Sequence, residues 1–311
     1  MAALLEAQHL YRYYGRYCAV EDLSLELHAG EVLGLLGVNG AGKSTTLQMF
    51  SGTLAPNKGK VILNNKDLFY QPLLAKQFLG YLPQQPPLYY DLTVIEFLSY
   101  CAQLHQIHSS KLNEYVDIAL QRCGLTEVRK RLIKELSKGY QQRLGIAQAI
   151  VHQPPVIIFD EPTVGLDPIQ VSDIRQLIQS LSADHGIILS SHILSEIQAC
   201  CTRVLIIDQG KLIFNESIAN LNPQQYLPSL QLTTKTVVDI QQIMNISGIT
   251  QVEIVNDYQY IIQYSPKIDP TEALIELIIS KQWGLVELKR LASSLEAIFI
   301  QLAQSSKKFT S

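Results

Sequence analysis

The sequence predicts an α/β fold with a parallel core sheet, an antiparallel β-subdomain and a helical insert, followed by a small C-terminal α+β domain of ferredoxin-like pattern. Three observations lead there. All-apolar runs at Val32-Leu-Gly-Leu-Leu, Val156-Ile-Ile-Phe and Gly186-Ile-Ile-Leu each run into a helical segment, and strands buried on both faces read as continuous apolar runs. The first run meets its helix through a glycine-rich segment, residues 37–42. Beyond residue 228 the pattern changes to strand, helix, strand, strand, helix, strand, the order of a split βαβ unit.

Taken in order, short alternating apolar runs between residues 4 and 27, broken near Gly15, predict antiparallel strands. The strand at 32–36 is followed by a helix at 43–50 that stops at Ser51-Gly52. Between Pro83 and Gly145 the pattern turns helical, with helices at 93–106 and 112–123 after the prolines at 83, 86 and 87. Strands at 203–207 and 211–214 complete a domain of residues 1–220, whose helical subdomain covers about 86–145. Residues 221–228, with Asn222-Pro223 and Pro228, read as a linker. The domain at 229–311 then has strands at 230–233, 251–255, 258–264 and 285–288. Its helices fall at 236–244 and 270–279, with an extra one at 293–304. Trp283 reads as core.

Apolar residues make up 47% of the 311 and charged residues 17%, which predicts a packed core rather than disorder. A net charge of −3 leaves no basic excess for a nucleic-acid backbone, so no nucleic-acid partner is expected. The five cysteines, two of them adjacent at Cys200-Cys201, are odd in number and lack metal-ligand spacing, which predicts reduced thiols of a cytosolic protein. The N-terminus lacks a basic start and a long apolar run, and no window approaches the roughly 20 apolar residues of a membrane span. The expectation is a chain that neither crosses nor leaves the membrane by itself.

Chemistry concentrates at the strand ends. Gly37-Val-Asn39-Gly40-Ala41-Gly42-Lys43-Ser44 fits a phosphate loop. There, glycines let backbone N–H groups curl around a phosphate, the following helix N-terminus favours negative charge, the lysine reaches the β/γ-phosphates and the serine hydroxyl ligates Mg²⁺. Thr45 completes the candidate nucleotide-binding set. Asp160-Glu161 closes an apolar strand, where a phosphate-loop enzyme needs one carboxylate for Mg²⁺ and another to polarise the attacking water. Such a strand end is also a common structural turn; the phosphate loop is what gives it chemical meaning.

Leu136-Ser137-Lys138-Gly139-Tyr140-Gln141-Gln142-Arg143 resembles the signature motif of ATP-binding cassette (ABC) ATPases, and the resemblance covers roughly residues 4–220. Tyr14 resembles the aromatic that stacks on adenine, Gln84 the Q-loop glutamine, Gly165-Leu166-Asp167 the D-loop, and His192 the switch histidine. Lys138 and Tyr140 depart from the commonest Leu-Ser-Gly-Gly-Gln, while Ser137 and Gly139 are kept. This variant resembles single-cassette subunits of simpler bacterial exporters, whose chains also end in a small C-terminal domain.

The resemblance implies an ATPase that binds ATP and Mg²⁺ and closes as a head-to-tail homodimer. Ser137 and Gly139 of one copy would then meet the nucleotide of the other, and Asp167, counted with the nucleotide-binding residues, would make contact across the dimer. Catalysis would fall to Glu161, His192, Lys43 and Gln84, and metal binding to Ser44, Gln84 and Asp160. It further implies an integral membrane permease as partner, a place on the cytoplasmic face of the plasma membrane, and export. Other readings remain open at single residues. Tyr14 lies among Tyr11, Tyr13 and Tyr17, any of which could be strand packing; His192 could be a core histidine, Gln84 an ordinary loop residue, and Asp167 a helix cap. The proline-marked face at Pro86, Pro87, Leu88 and Tyr89 is either helical packing or a groove for a membrane subunit. The alternative function is a soluble ABC ATPase in translation or DNA maintenance, against which stand the single cassette and the absence of long heptad insertions. A non-hydrolysing regulator is disfavoured by the intact Glu161.

Overall fold

An antiparallel hairpin, β1 (Leu5–Tyr14) and β2 (Tyr17–Leu27), opens the chain, with Tyr14 opposite Tyr17 at its tip. The structure, a computed structural model, describes residues 3–220 and 228–291. Next come β3 (Val32–Leu36), α1 (Lys43–Phe50), β4 (Lys58–Leu63), β5 (Lys66–Asp67), the single turn α2 (Pro72–Ala75) and β6 (Leu79–Leu82). Three helices follow, α3 (Val94–Leu104), α4 (Ser109–Arg122) and α5 (Lys138–Ile150). The unit ends with β7 (Val156–Asp160), α6 (Pro168–Leu181), β8 (Gly186–Ser191), α7 (Leu194–Cys200), β9 (Arg203–Asp208) and β10 (Lys211–Ser217).

These strands make two sheets. One, in the order β2-β1-β4-β5, is antiparallel throughout; the other, β10-β9-β3-β8-β7-β6, is parallel from β9 to β6 and carries β10 as an antiparallel edge. Every residue of β3, β7 and β8 is buried, which is why these strands are apolar runs rather than alternations. Their register sets Leu36 opposite Ser191 and Asp160 opposite Ser190. The segments following β3, β7 and β8 therefore emerge at one edge, where ligands bind in open α/β sheets.

The predicted helices hold with shifted ends. α3 begins at a capping box, in which Glu96 Oε2 accepts from the Thr93 N–H at 2.8 Å. α4 starts at Ser109 rather than at 112, because the His108 ring accepts from the Ser110 N–H and supplies the cap. β4 and β5 were not expected, since β4 begins with the exposed and polar Lys58-Gly59-Lys60 and is recruited by pairing with β1.

The chain divides into two compact units, Met1–Ile218 and Ala219–Ser311. The described part of the second contains β11 (Ser229–Thr234), α8 (Ile240–Met244), β12 (Ile249–Asn256), β13 (Gln259–Tyr264), α9 (Thr271–Ser280) and β14 (Leu285–Leu291). The sheet order β12-β13-β11-β14, with every pair antiparallel, is that of a ferredoxin-like unit. Trp283 packs in its core with Leu230, Tyr260, Ile262 and Leu274. α8 is shorter than the expected 236–244: Thr236 Oγ1 donates to the Trp283 carbonyl at 3.1 Å, and Asp239 caps the Gln241 N–H at 3.0 Å, so the helix starts only at Ile240. Residues 221–227 of the expected linker and the extra helix at 293–304 lie outside the described residues. All five cysteines are free thiols.

In the first unit the His105 and His152 rings stack with centroids 3.5 Å apart. His152 Nε2 donates to the Leu79 carbonyl at 3.0 Å, and its Nδ1 is buried without a partner. Burial, reinforced by the neighbouring His105, pushes the His152 pKa down to about 3. The unfolded chain, titrating near 6.5, therefore binds a proton between pH 6.5 and about 3 that the folded chain refuses. Stability is complete above pH 6.5 and falls with pH below it, by up to about 1.4 kcal/mol per unit. His152→Gln, which cannot take up that proton, is expected to flatten the acid limb of the thermal midpoint between pH 6.5 and 5. Equal slopes for the two proteins would contradict this assignment.

Candidate functional site

Residues 37–42 turn between β3 and α1, and Gly42, at φ +107°, caps the helix. A Cβ at Gly42 would stand 2.5 Å from the Ala19 carbonyl oxygen, and one at Gly210 2.7 Å from the same atom. The Gly210 N–H also donates to the Ala41 carbonyl at 2.9 Å. The loop is thus clasped between β2 and the β9–β10 turn, with glycine required on both sides. Lys43 is only 5% exposed; its ammonium donates to the carbonyls of Gly37, at 2.8 Å, and Val38, at 3.3 Å. Burial lowers its pKa, opposed by the charges of Glu161 and Asp160.

The loop floors a cleft of about 650 Å³ lined by Tyr14, Tyr17, Ala19, Asn39, Gly40, Gly42, Lys43, Ser44, Thr45, Gln84, Glu161, Val164 and His192. Glu161 is its centre. The carboxylate has one oxygen 3.3 Å from His192 Nδ1 and 3.9 Å from Lys43 Nζ, and the other accepts from Gln84 Nε2 at 3.4 Å. Its backbone sits at φ +47°, a left-handed conformation that a glutamate keeps only where its surroundings impose it.

Asp160 lies behind Glu161, 5% exposed. Burial raises its pKa, against hydrogen bonds from Ser190 and Ser44 that favour the carboxylate. Ser190 Oγ donates to Asp160 at 2.6 Å and accepts the Glu161 N–H at 2.9 Å, so one hydroxyl fixes both acidic residues. At the opposite end of the cleft Tyr14 and Tyr17 are both half exposed, and the Arg12 guanidinium lies 5.0 Å from the Tyr14 ring centre. Tyr11 and Tyr13 stack on each other instead and line no part of the cleft.

Other candidates stand apart from the cleft. Gly37 and the buried Ala41 belong to the loop's inner side. Ser137 caps α5, its hydroxyl accepting from the Tyr140 N–H, and Gly139 is buried in the first turn of that helix. Asp167 caps α6 by accepting from the Gln170 N–H at 2.9 Å, with Pro168 at the first helical position. None of these three lines the cleft of its own chain.

Residues 20–164 match the ABC transporter family. Relatives similar to the chain over nearly its whole length include two bacterial proteins. The chain is 31% identical to the uncharacterised ABC transporter ATP-binding protein YhcH of Bacillus subtilis, covering 99% of this chain and 98% of that one. It is 32% identical to the bacitracin transport ATP-binding protein BcrA of Bacillus licheniformis, covering 97% and 98%. The chain belongs to the ABC transporter ATP-binding proteins. Among solved structures, an ATP-binding subunit of an ABC transporter superposes with a TM-score of 0.65 at 29% identity, covering 71% of this chain and 93% of that one. The clefted unit is therefore an ABC ATPase, which binds ATP and hydrolyses it to drive transport.

Sequence reasoning missed Tyr17, Ala19, Val164 and Ser190 as contributors to this ABC site. Tyr17 joins Tyr14 because the hairpin tip pairs them across the strands. Ser190 acts on a residue 30 positions away, and the available signal was its place at the end of an apolar strand neighbouring the acidic one. Val164 enters the cleft wall from the loop after β7 and carried no signal at all.

Proposed function

We propose that this ABC subunit hydrolyses Mg·ATP between two copies of itself and drives export through a separate membrane permease. The observation supporting this most directly is the convergence of Lys43, Gln84, Glu161 and His192 at the mouth of the phosphate loop. Lys43 would exchange the carbonyls of Gly37 and Val38 for β- and γ-phosphate oxygens, and the N–H groups of residues 40–45 would cradle the β-phosphate. Tyr14, braced by Arg12, would stack on the adenine. Glu161 would take the proton of the water attacking the γ-phosphorus, with His192 holding the carboxylate in line and Gln84 sensing the same centre.

The residues present fit a magnesium ion. A buried carboxylate whose pKa is raised by burial, with a serine hydroxyl hydrogen-bonded to it, is a hard-oxygen pair short of positive charge, and Mg²⁺ is commonly held by one or two such protein oxygens plus phosphates and water. Asp160 and Ser44 would hold it, with Gln84 beside them. The ion would neutralise charge on the β- and γ-phosphates.

Ser137 and Gly139, remote from the cleft of their own chain, fit the γ-phosphate of a second copy, which makes the closed state an isologous dimer. Among the described residues no helix is long and apolar enough to cross a membrane, and relatives are described as ATP-binding proteins of transporters, so the transport path would belong to another chain.

Purification of the tagged chain from native membranes in mild detergent is expected to bring down one polytopic membrane protein in about equal amount; ribosomal or DNA-repair partners instead would move the function to the soluble alternative. Separately, Ser137→Ala is expected to leave ATP binding by the monomer in place and to weaken the ATP-dependent dimer seen by light scattering. Loss of nucleotide binding by the monomer would refute the role across the dimer.

A further inference from the structure

Two serines end β8, and successive side chains of a strand point to opposite faces. Ser190 serves Asp160 and Glu161, as described. Ser191 turns the other way: its hydroxyl donates to Glu196 Oε2 at 2.7 Å and accepts the Ile193 N–H at 3.0 Å. The same carboxylate oxygen accepts from Thr163 Oγ1 at 2.8 Å. Glu196, on α7, is 5% exposed, and the Arg175 guanidinium approaches its other oxygen at 4.0 Å. Thr163 comes two residues after Glu161, and Ser191 immediately precedes His192. One buried oxygen thus ties the loop following β7 to the last residue of β8, and the residues beside its two anchors are the pair that meet at 3.3 Å in the cleft.

A carboxylate is a costly filler for this place. Taking a charge out of water is unfavourable unless it is hydrogen-bonded and paired, and Arg175 is both distant and 30% exposed. A leucine would fill the space without that cost, but it could not accept two hydroxyl protons at once. What the glutamate adds is a fixed separation between that loop and that strand end. Geometry of that kind matters at a reaction centre, where misplacement by about 1 Å costs on the order of 10²-fold in rate. The left-handed backbone of Glu161 also needs outside support to persist.

We propose that Glu196 is a positioning residue for ATP hydrolysis, its Oε2 latching the Thr163 and Ser191 hydroxyls and thereby holding Glu161 and His192 in register. This rests on the catalytic reading of Glu161 given above. Glu196 touches neither nucleotide nor water in that reading; it acts through the loop and the strand end.

The test uses the purified full-length chain. Glu196→Ala is expected to lower kcat on the order of 10²-fold, while the Kd for a fluorescent ATP analogue moves less than about threefold, the split that marks a loss confined to the chemical step. Glu196→Gln keeps an oxygen able to accept both hydroxyls and is expected to regain most of the rate. Thr163→Val and Ser191→Ala should each lower kcat, and the double variant should fall no further than Glu196→Ala. Thr163→Val preserves the carboxylate and its bond to Ser191, so it serves even where the alanine variant fails to fold. In the nucleotide-free protein, hydrogen exchange should quicken at residues 161–166 and 191–197 in Glu196→Ala and stay unchanged at 43–50. A parental rate with parental exchange overturns the latch. So does an equal loss in the alanine and glutamine variants with exchange quickened at 43–50, which would make Glu196 a packing residue. Glu161→Gln run alongside separates the two ideas: if it keeps the parental rate, the catalytic reading itself fails, whereas an inactive Glu161→Gln with an active Glu196→Ala removes only the latch.

Discussion

Glu161→Gln is expected to bind ATP as the parent does, to hydrolyse it on the order of 10²–10⁴-fold more slowly, and to accumulate as an ATP-bound dimer. The substitution suits the site. Gln106, Gln153, Gln209 and Gln282 all occupy positive φ in this structure, so glutamine tolerates the left-handed backbone at 161. Its amide can still meet His192 or Gln84, which lie 3.3 and 3.4 Å from the present carboxylate oxygens. What is lost is the carboxylate charge and with it the ability to accept the proton of the attacking water. Steady-state phosphate release, nucleotide affinity and light scattering on one preparation check the three parts together, and near-parental hydrolysis would remove Glu161 from the role of general base.

Lys43→Ala is expected to lose turnover by at least about 10²–10³-fold, the worth of one preorganised charge donor at a reacting centre, and to bind ATP more weakly as well. Stability should not follow. The ammonium is buried, and its pKa is lowered because desolvation outweighs the attraction of Glu161 and Asp160, so the fold derives little net stabilisation from this charge. Thermal midpoints of the unit Met1–Ile218 in the two proteins should agree within about 2–4 °C, the shift that roughly 1 kcal/mol produces in a unit of this size. Unchanged affinity and rate would refute the phosphate-loop assignment. A collapsed midpoint would show instead that the lysine is structural.

Legibility in the sequence followed burial. β3, β7 and β8 could be read because both faces are covered and the strands are apolar throughout, and the acidic pair could be read because it ends one of them. β4 could not, since its first three residues are exposed and its strand conformation comes from pairing with β1. The choice of Tyr14 over its neighbours comes from the family resemblance alone, while the addition of Tyr17 needs the hairpin register. Hydrogen bonds of side chains across sequence, such as those of Ser190 to Asp160 and Thr163 to Glu196, leave no local pattern, because their partners are brought together only by the parallel sheet and its covering helices.

The clasp around the phosphate loop bears on how the protein is made. The Ala41 carbonyl is satisfied by the Gly210 N–H, and Ala19 presses on both Gly42 and Gly210, so a loop near the beginning of the chain is completed by a turn near the end of the unit. During synthesis the glycine-rich segment leaves the ribosome long before its clasp does, and pairing over such a separation is slow to form. A nascent chain that has not yet reached Gly210 therefore lacks the clasp that completes the phosphate loop.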